Sequence, residues 1–371
     1  MHISTRETMG SVRVDPCPSV AGIVSSAFFD ILLVSRAPGM AFRNMKKLEL
    51  IRAAAAEAKL VRSVGDLKRL AEKAPFFLPR LKRGCFRDAT RPLTLQIEPT
   101  NVCNINCICC PRARSRRPKG FMSLSLFQRL IDDAAGSGIS RIHLYLHGEP
   151  FLHPRILDMI AAIKRAGLGF NLVTNGQLLD SGISERLLKC GPDISDYVVI
   201  SVLGSTKAVH EQTMRGICHE RVLRNAADLM ALRRKLNLNG PVVQSIFYTL
   251  PENRHEAPLY LKQWKKLVDH AYCIGGMSQS FAAMGQPDGV LPLRRATCRN
   301  LWQRLTIYWN GDATICCEDI DGTCVFGNAN TQCIGQLWAS PTLCGIKTAH
   351  SEKRFQDVEL CARCDMGSWE Q

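Results

Sequence analysis

The sequence predicts an α/β protein built around a partial (β/α)6 barrel, with a helical N-terminal extension and a small cysteine-rich domain at the C-terminus. Two observations predict this class. From residue 93 onward, short apolar segments alternate with amphipathic segments of helical period. After about residue 290, this rhythm gives way to turns and closely spaced cysteines. A chain of 371 residues is long enough for two or three domains of this kind.

Six segments of the central region, placed at residues 93–290, are predicted to be strands, and helices are predicted between them. Strands that alternate with helices at this spacing form a parallel sheet. Six such units make an open barrel whose loops at the carboxyl ends of the strands carry the functional site. The predicted strands are 93–100, 141–148, 170–176, 197–204, 241–250 and 271–276, and the predicted helices are 123–138, 154–167, 180–190, 207–236 and 255–269.

Residues 1–92 are predicted to form a basic, mainly helical extension, since 41–74 has the period of one or two amphipathic helices. The apolar run 20–34 is interrupted by Asp30 and is too short to span a bilayer. Three interpretations stay open for this run: a helix or interfacial anchor, a signal peptide, or sequence upstream of a later start. Any membrane association would rest on 20–34 alone. We expect a cytoplasmic, reducing setting, in which cysteines bind metals or act in redox chemistry.

The net charge of +15 is concentrated between residues 35 and 120, where 20 Lys and Arg face 6 Asp and Glu. Such a stretch is either a solvated helical face or a surface for nucleic acid, acidic lipid or an acidic partner. Its densest part directly follows a group of cysteines, and we expect it to bind a phosphorylated substrate or an acidic electron donor. The residues are Arg112, Arg114, Arg116, Arg117 and Lys119.

Cys103, Cys107 and Cys110 lie in the loop after the first predicted strand. Three thiolates hold three irons of a 4Fe–4S cube and leave the fourth iron open, whereas electron carriers close the site with a fourth cysteine. A structural zinc site is the alternative, since three cysteines plus one further ligand are common there. Cys109 is interpreted as a small packing residue.

A second set, Cys298, Cys316, Cys361 and Cys364, supplies four ligands for a closed site, either tetrahedral zinc or a second 4Fe–4S cluster. A hairpin around Asn310-Gly311, within 304–319, is expected to bring these cysteines together. We expect bound metal, rather than a hydrophobic core, to hold residues 291–371 together. Glu318 and Asp319 are candidate proton acceptors, although acids at the exit of a hairpin are usually solvated.

The segment IEPTNVCNINCICCPR resembles the signature of the radical S-adenosylmethionine (radical SAM) superfamily, and the resemblance covers about residues 93–280. It implies a partial (β/α)6, TIM-like barrel. It also implies an open 4Fe–4S cluster on Cys103, Cys107 and Cys110 that chelates S-adenosylmethionine. Reduction would then release a 5′-deoxyadenosyl radical that abstracts a substrate hydrogen.

Further elements resemble the cofactor contacts of this superfamily. His147-Gly148-Glu149-Pro150 resembles the GGEP element, whose backbone and glutamate engage the methionyl amino group; His147 replaces its first glycine. Polar residues at later strand ends resemble ribose contacts, and Arg215 resembles an arginine that meets the methionyl carboxylate. The resemblance therefore implies cofactor contacts at Gly148, Glu149, Thr174, Asn175, Ser201 and Arg215.

The spacing Cx12Gx4C from Cys298 to Cys316, followed by the CxxC of Cys361 and Cys364, resembles the SPASM/twitch domains found after such barrels. That resemblance implies an auxiliary 4Fe–4S cluster. The cysteine count fits one such cluster, an arrangement similar to 2-deoxy-scyllo-inosamine dehydrogenase and other enzymes that act on sugars or cyclitols.

Three alternative functions are considered for a chain with these motifs. The first is net oxidation of a small substrate, sugar-like or phosphorylated, with a donor such as flavodoxin or ferredoxin. The second is peptide maturation by the same cofactor. The third is nucleic-acid binding by a metal-stabilised protein, which the open three-cysteine site and the HGEP element disfavour.

Overall fold

The computed structural model describes residues 90–275, 297–298, 300–362 and 364. The N-terminal extension, including the run 20–34, lies outside these residues. Nine strands form one sheet: β1 Thr94–Ile97, β2 Arg141–Leu144, β3 Gly169–Thr174, β4 Tyr197–Val202, β5 Val242–Thr249, β6 His270–Gly275, β7 Arg304–Ile307, β8 Asp312–Thr314 and β9 Val325–Asn328.

Ten helices accompany the sheet in the described ranges. They are α1 Leu124–Ser137, α2 Ile156–Arg165, α3 Ser181–Lys189, α4 Lys207–Thr213, α5 His219–Lys235, α6 Ala257–Leu267, α7 Asn300–Gln303, α8 Ile334–Trp338, α9 Pro341–Ser351 and α10 Glu359–Ala362. No helix in this part of the chain has the length and apolar character needed to cross a membrane.

The sheet confirms the predicted βα series. Its order is β9-β8-β7-β1-β2-β3-β4-β5-β6, and neighbours from β7 to β6 run parallel, whereas β8 and β9 are antiparallel. The two edge strands, β9 and β6, do not pair with each other among the described residues, so the barrel is open. All six predicted strands are present, each within a few residues of its predicted bounds.

Local signals explain the helix ends. The Ser123 hydroxyl accepts a hydrogen bond from the Leu126 amide at 3.2 Å and begins α1. Gly138, at φ 74°, ends the helix in the left-handed region that favours glycine. The predicted helix 207–236 is divided in two, because Met214–Arg215 form a short strand that pairs with Asn106–Cys107 in the cysteine loop.

The helices pack on one face of the sheet, where alternate strand residues such as Leu95, Ile142 and Phe170 are fully buried. The C-terminal region joins this same core through Trp302, Leu337 and other apolar residues. The expectation that metal alone holds residues 291–371 is therefore wrong. The hairpin is confirmed, but its first strand, β7, extends the barrel sheet beside β1.

A buried ion pair links the barrel to the C-terminal region. Arg117 donates to both carboxylate oxygens of Glu98 at 2.8 Å, and the Glu98 side chain is fully buried. The Arg117 Nε also donates to the Ile320 carbonyl at 2.9 Å. The guanidinium lies 3.7 Å from the centre of the Tyr308 ring. Burial alone would raise the pKa of Glu98, but the hydrogen bonds and charge of Arg117 lower it.

Replacing Arg117 by Met should destabilise the fold by about 3–5 kcal/mol, because it leaves a buried carboxylate without its partner. The double substitution Arg117→Met with Glu98→Gln should cost less than the two single changes together. Urea unfolding of the full chain measures the free energy of unfolding of each variant. The exposed pair Arg155–Asp158 provides the control, and Arg155→Met should change stability little. A loss for Arg117→Met no larger than that control would contradict the role assigned to the pair.

Candidate functional site

The loop that carries the first cysteine set follows β1 and is held from several directions. The short strand Asn106–Cys107 pairs with Met214–Arg215, and the Ile108 amide donates to the Thr213 carbonyl at 2.9 Å. Arg112 Nη2 donates to the Ile105 carbonyl at 2.8 Å. These contacts fix the backbone of the loop before any ligand binds.

The three predicted ligands, Cys103, Cys107 and Cys110, are partly buried, and Cys103 and Cys107 pack against the core. Burial raises the pKa of each thiol, and the neighbouring thiols raise that of Cys107 further. Bound metal must therefore displace the thiol protons. Thiolates are soft ligands that suit iron–sulfur clusters. Cys109 also lies within electrostatic range of Cys107 and Cys110, so its predicted packing role stays a prediction.

Zinc and an iron–sulfur cluster both bind thiolates, so the chemistry of the cysteine side chains fits either group at this point. Among the described residues, the ligand atoms of Glu211, Cys218 and Glu220 all lie within 4.8 Å of one another.

Gly148 lies against the backbone of this loop. A Cβ atom there would lie 2.1 Å from the Thr100 carbonyl oxygen and 2.7 Å from that of Val102. The next residue, Glu149, donates its amide to the Val102 carbonyl at 2.9 Å. Gly148 therefore acts by close packing of two backbones, and it positions the residue that precedes Cys103.

Glu149 is 2% exposed, and its carboxylate is held by three donors at the ends of neighbouring strands. These donors are the Thr174 hydroxyl at 2.8 Å, the Asn175 amide at 2.8 Å and the Phe151 amide at 3.1 Å. Burial raises the pKa of Glu149 to about 7 despite these bonds. Among the described cationic groups, none forms an ion pair with it, so the site offers a buried carboxylate to a cationic ligand.

The other predicted cofactor contacts lie around this centre. The Asn175 side chain donates to Asn104 Oδ1, in the cysteine loop, at 2.8 Å. Ser201 is half-buried on β4, beside Ile246 of β5. Arg215 is exposed and lies opposite Asn106 in the short antiparallel pair, next to Cys107. The structure thus brings Thr174 and Asn175 to Glu149 and brings Arg215 to the loop, while Ser201 lies on a separate strand.

Two of the four cysteines in the second set, Cys298 and Cys316, lie near each other at the end of the hairpin. A hydrogen bond with Cys317 and burial raise the pKa of Cys316 well above its usual range, and Cys298 lies close enough to contribute. The Cys364 amide donates to the Cys361 carbonyl at 3.1 Å in the CxxC turn. Cys324, which we did not predict to take part, lies beside Leu360, next to Cys361.

The two sites are joined by His147, a residue whose role the sequence did not reveal. Its Nε2 lies 2.8 Å from the Cys317 carbonyl, and its Nδ1 lies 3.1 Å from Arg117 Nη2. Arg117 is a donor only, so Nδ1 accepts and Nε2–H donates. The end of β2 is thereby connected to the residue that follows Cys316.

The acids after the hairpin are buried, contrary to the expectation that they are solvated. Asp319 is 1% exposed, and its carboxylate accepts from Thr314 Oγ1, the Thr323 amide and the Cys324 amide. It organises the loop and has no solvent access for proton transfer. Glu318 is also buried.

The basic segment after the first cysteines is used largely within the fold. Arg112 and Arg117 bind backbone and buried groups, as described above, and Arg116 pairs with Asp321 at 3.5 Å. Arg114 and Lys119 are exposed. The segment therefore attaches the cysteine loop to the 316–324 loop and leaves two cations for an external partner.

Comparisons with known proteins agree with this arrangement. Residues 97–260 match the model of the radical SAM superfamily, and residues 298–365 match that of an iron–sulfur cluster-binding domain, SPASM. The chain belongs to the radical SAM superfamily and carries a C-terminal SPASM domain. The radical SAM match implies S-adenosylmethionine and a 4Fe–4S cluster, and the SPASM match implies an auxiliary iron–sulfur cluster. Iron–sulfur clusters thereby replace the zinc alternative, and the nucleic-acid alternative stays a prediction.

Two curated relatives share part of the chain. A tungsten-containing aldehyde ferredoxin oxidoreductase cofactor-modifying protein of Pyrococcus furiosus is 27% identical over 167 residues, 44% of this chain and 46% of that protein. The PqqA peptide cyclase of Granulibacter bethesdensis is 30% identical over 103 residues, 28% of this chain and 27% of its own. The matches thus span less than half the length of these relatives.

Solved structures support the fold. BtrN in complex with AdoMet and 2-DOIA has a TM-score of 0.51 at 15% identity, over 74% of this chain and 93% of that chain. Streptococcus suis SuiB bound to the precursor peptide SuiA has a TM-score of 0.53 at 15% identity, over 94% of this chain and 83% of that chain.

Substituting Gly148 by Ala should displace the cysteine loop and lower the iron content of the anaerobically purified radical SAM protein by about half, from two clusters toward one. The matched control is Gly136→Ala in α1, where a new Cβ meets nothing within 4 Å. That control should keep its iron and gain slightly in helix stability, by up to about 1 kcal/mol. Equal iron in the two variants would show that Gly148 does not position the loop.

Proposed function

We propose that this chain oxidises a small polar substrate, sugar-like or phosphorylated, by radical SAM chemistry. The observation that supports the proposal is the Arg117–His147 connection, which joins the loop of the predicted open three-cysteine site to the loop that carries Cys316 of the predicted four-cysteine site. When bound, the two clusters and S-adenosylmethionine supply a radical that removes a substrate hydrogen and an acceptor for the remaining electron.

The residues of this chain are assigned to binding and orientation. Cys103, Cys107 and Cys110 hold the open cluster, and the second set, Cys298, Cys316, Cys361 and Cys364, holds the auxiliary one. The Glu149 carboxylate, buried and free of any described cationic partner, accepts the ammonium group of the methionyl moiety. Thr174 and the Asn175 amide keep that carboxylate in place.

Gly148 and Arg215 support the same cofactor. Gly148 permits the close approach that positions Glu149 and the residue before Cys103. Arg215, exposed and paired opposite Asn106, is assigned to the methionyl carboxylate because its strand borders the cysteine loop. Ser201 and Asn175 are assigned to the ribose.

A reduced flavodoxin or ferredoxin is the proposed electron donor. Arg114 and Lys119 are exposed on the segment that follows Cys110, so they offer positive charge to an acidic donor near the open cluster.

Peptide maturation is the second candidate. Relatives named PqqA peptide cyclase, from Granulibacter bethesdensis and from Gluconobacter oxydans, favour it, at 30% and 27% identity over about a third of the chain or less. We prefer a small-molecule substrate because Gln96, His143 and Asn171, which are fully buried, make part of the barrel interior polar.

The proposed function is tested by anaerobic reduction of the reconstituted enzyme with S-adenosylmethionine and measurement of 5′-deoxyadenosine. Wild-type enzyme should form this product, and Cys110→Ala should form none, because the open cluster loses a ligand. Cys109→Ala is the matched control and should retain product formation. Product formation by Cys110→Ala together with its loss in Cys109→Ala would overturn the ligand assignment, and no product from wild type would overturn the function.

Glu149→Gln should weaken the binding of S-adenosylmethionine by about tenfold or more, since a charge-assisted hydrogen bond contributes about 1.5–3 kcal/mol. The amide has nearly the same shape, so iron content should be unchanged. Calorimetric titration of the anaerobic protein measures the affinity, and Glu185→Gln, at an exposed glutamate of α3, is the control. Unchanged affinity in Glu149→Gln would show that its carboxylate does not meet the ammonium group.

A further inference from the structure

The face of the sheet opposite the helices forms the interior of the open barrel. Gln96 of β1, His143 of β2 and Asn171 of β3 lie side by side in register on this face, and all three are fully buried. Two residues before Gln96 on β1, Thr94 pairs with Arg304 of β7 on one side and with Arg141 of β2 on the other. We call five of these residues the interior polar cluster: Gln96, Arg141, His143, Asn171 and Arg304.

The interior polar cluster contains buried polar atoms that have no hydrogen-bond partner. They are His143 Nε2, both side-chain amide atoms of Asn171, Arg304 Nε, and Arg141 Nε and Nη1. Buried polar groups are nearly always paired in native proteins, so such a concentration calls for a ligand or ordered water.

The two arginines distinguish between ligand and water. Arg304 is 7% exposed, and its described side-chain bond goes to Gln96 Oε1 at 3.3 Å. Arg141 donates to the Ser195 carbonyl at 3.0 Å and lies 4.8 Å from the centre of the Tyr197 ring. Neither forms an ion pair with a described carboxylate, whereas the buried Arg117 and Arg233 both do. Water satisfies hydrogen bonds but does not neutralise the buried guanidinium of Arg304 or that of Arg141, whose Nε and Nη1 atoms are buried. An anion therefore suits this site better than water.

His143 fits the same site as an uncharged group. Burial, with further contributions from Arg304 and Arg141, holds the pKa of His143 well below its usual range. Its Nδ1 lies 3.2 Å from the Tyr145 hydroxyl, so Nε2 is the ring atom left for a ligand. The amide of Asn171 offers one donor and one acceptor beside it.

The interior side of β4 and β5 is mainly apolar. Tyr197, Val199, Val242 and Ile246, with Ile194, form a separate buried cluster there, and Gln244 of β5 is a buried polar residue on the same side. The interior polar cluster lies on the side of the barrel formed by β7, β1, β2 and β3, beneath the Glu98–Arg117 pair and the ends of the strands that carry the candidate active site.

We propose that the interior polar cluster binds the oxyanion of a small polar molecule, a carboxylate or a phosphate, with Arg304 and Arg141 as the cationic donors. Asn171 and His143 would bind a neighbouring hydroxyl or amine of the same molecule. This inference rests on the proposed function, since the molecule is taken to be the substrate, and it assigns that substrate a negative charge.

The test measures anion binding to the full-length, anaerobically reconstituted protein, without S-adenosylmethionine, by thermal unfolding over increasing concentrations of sodium phosphate or sodium acetate at constant ionic strength. Wild type should show saturable stabilisation by at least one of the two anions. Arg304→Gln should raise the half-saturating concentration about tenfold or more, and Arg141→Gln should raise it as well.

Arg224→Gln, at an exposed arginine of α5, is the matched control and should behave as wild type. Because Arg304 is a buried cation without a described counter-charge, Arg304→Gln should unfold at the same or a higher temperature than wild type when neither anion is added. Stabilisation by acetate alone or by phosphate alone would each support the proposal and would identify the anion class.

Equal anion responses in wild type and both interior variants, or no saturable response in wild type, would overturn the proposal. The proposed function fails separately, because 5′-deoxyadenosine formation is measured in the absence of substrate. A protein that cleaves S-adenosylmethionine but binds no anion at Arg304 refutes this inference alone.

Discussion

The buried pair Glu98–Arg117 is the interaction on which the arrangement of both cysteine sites depends. Glu98 follows β1, directly before the cysteine loop, and Arg117 directly follows that loop. The guanidinium also binds the Ile320 carbonyl and contacts the His147 ring, and His147 in turn bonds the Cys317 carbonyl. One ion pair therefore connects the start and end of the first cysteine loop with the loop that carries Cys316. Because both charges are buried, the pair tolerates little displacement, and the two sites keep a fixed relation.

The local geometry of the open site follows from that constraint. The ends of the cysteine loop are held by this ion pair. The loop is further fixed by close backbone packing against Gly148 on one side and by pairing with the Met214–Arg215 strand on another. The carboxylate of Glu149 then lies at the meeting point of β2 and β3, desolvated and held by three donors. A rigid, buried acid near the Cys103 thiol suits a cofactor that is both cationic and iron-bound.

Sequence reasoning predicted what depends on neighbours along the chain. The six barrel strands, the Ser123 cap of α1 and the Asn310-Gly311 hairpin all follow from period, capping and turn chemistry. The roles of Arg112, Arg117 and Asp319 were missed, because their partners are set by tertiary packing: Arg117 and Ile320 are 203 residues apart. The same holds for the pairing of β7 with β1, which places the hairpin in the barrel sheet. Charge alone made the basic segment resemble an external binding surface.

The central claim is that an open cluster and a closed cluster lie in one chain and differ in their access to S-adenosylmethionine. Electron paramagnetic resonance of the reduced, reconstituted protein, recorded with and without S-adenosylmethionine, tests it most directly. We expect about eight irons per chain and two cluster signals, of which one shifts on addition of S-adenosylmethionine while the other stays unchanged. A single cluster signal, or two signals that both stay unchanged, would contradict it.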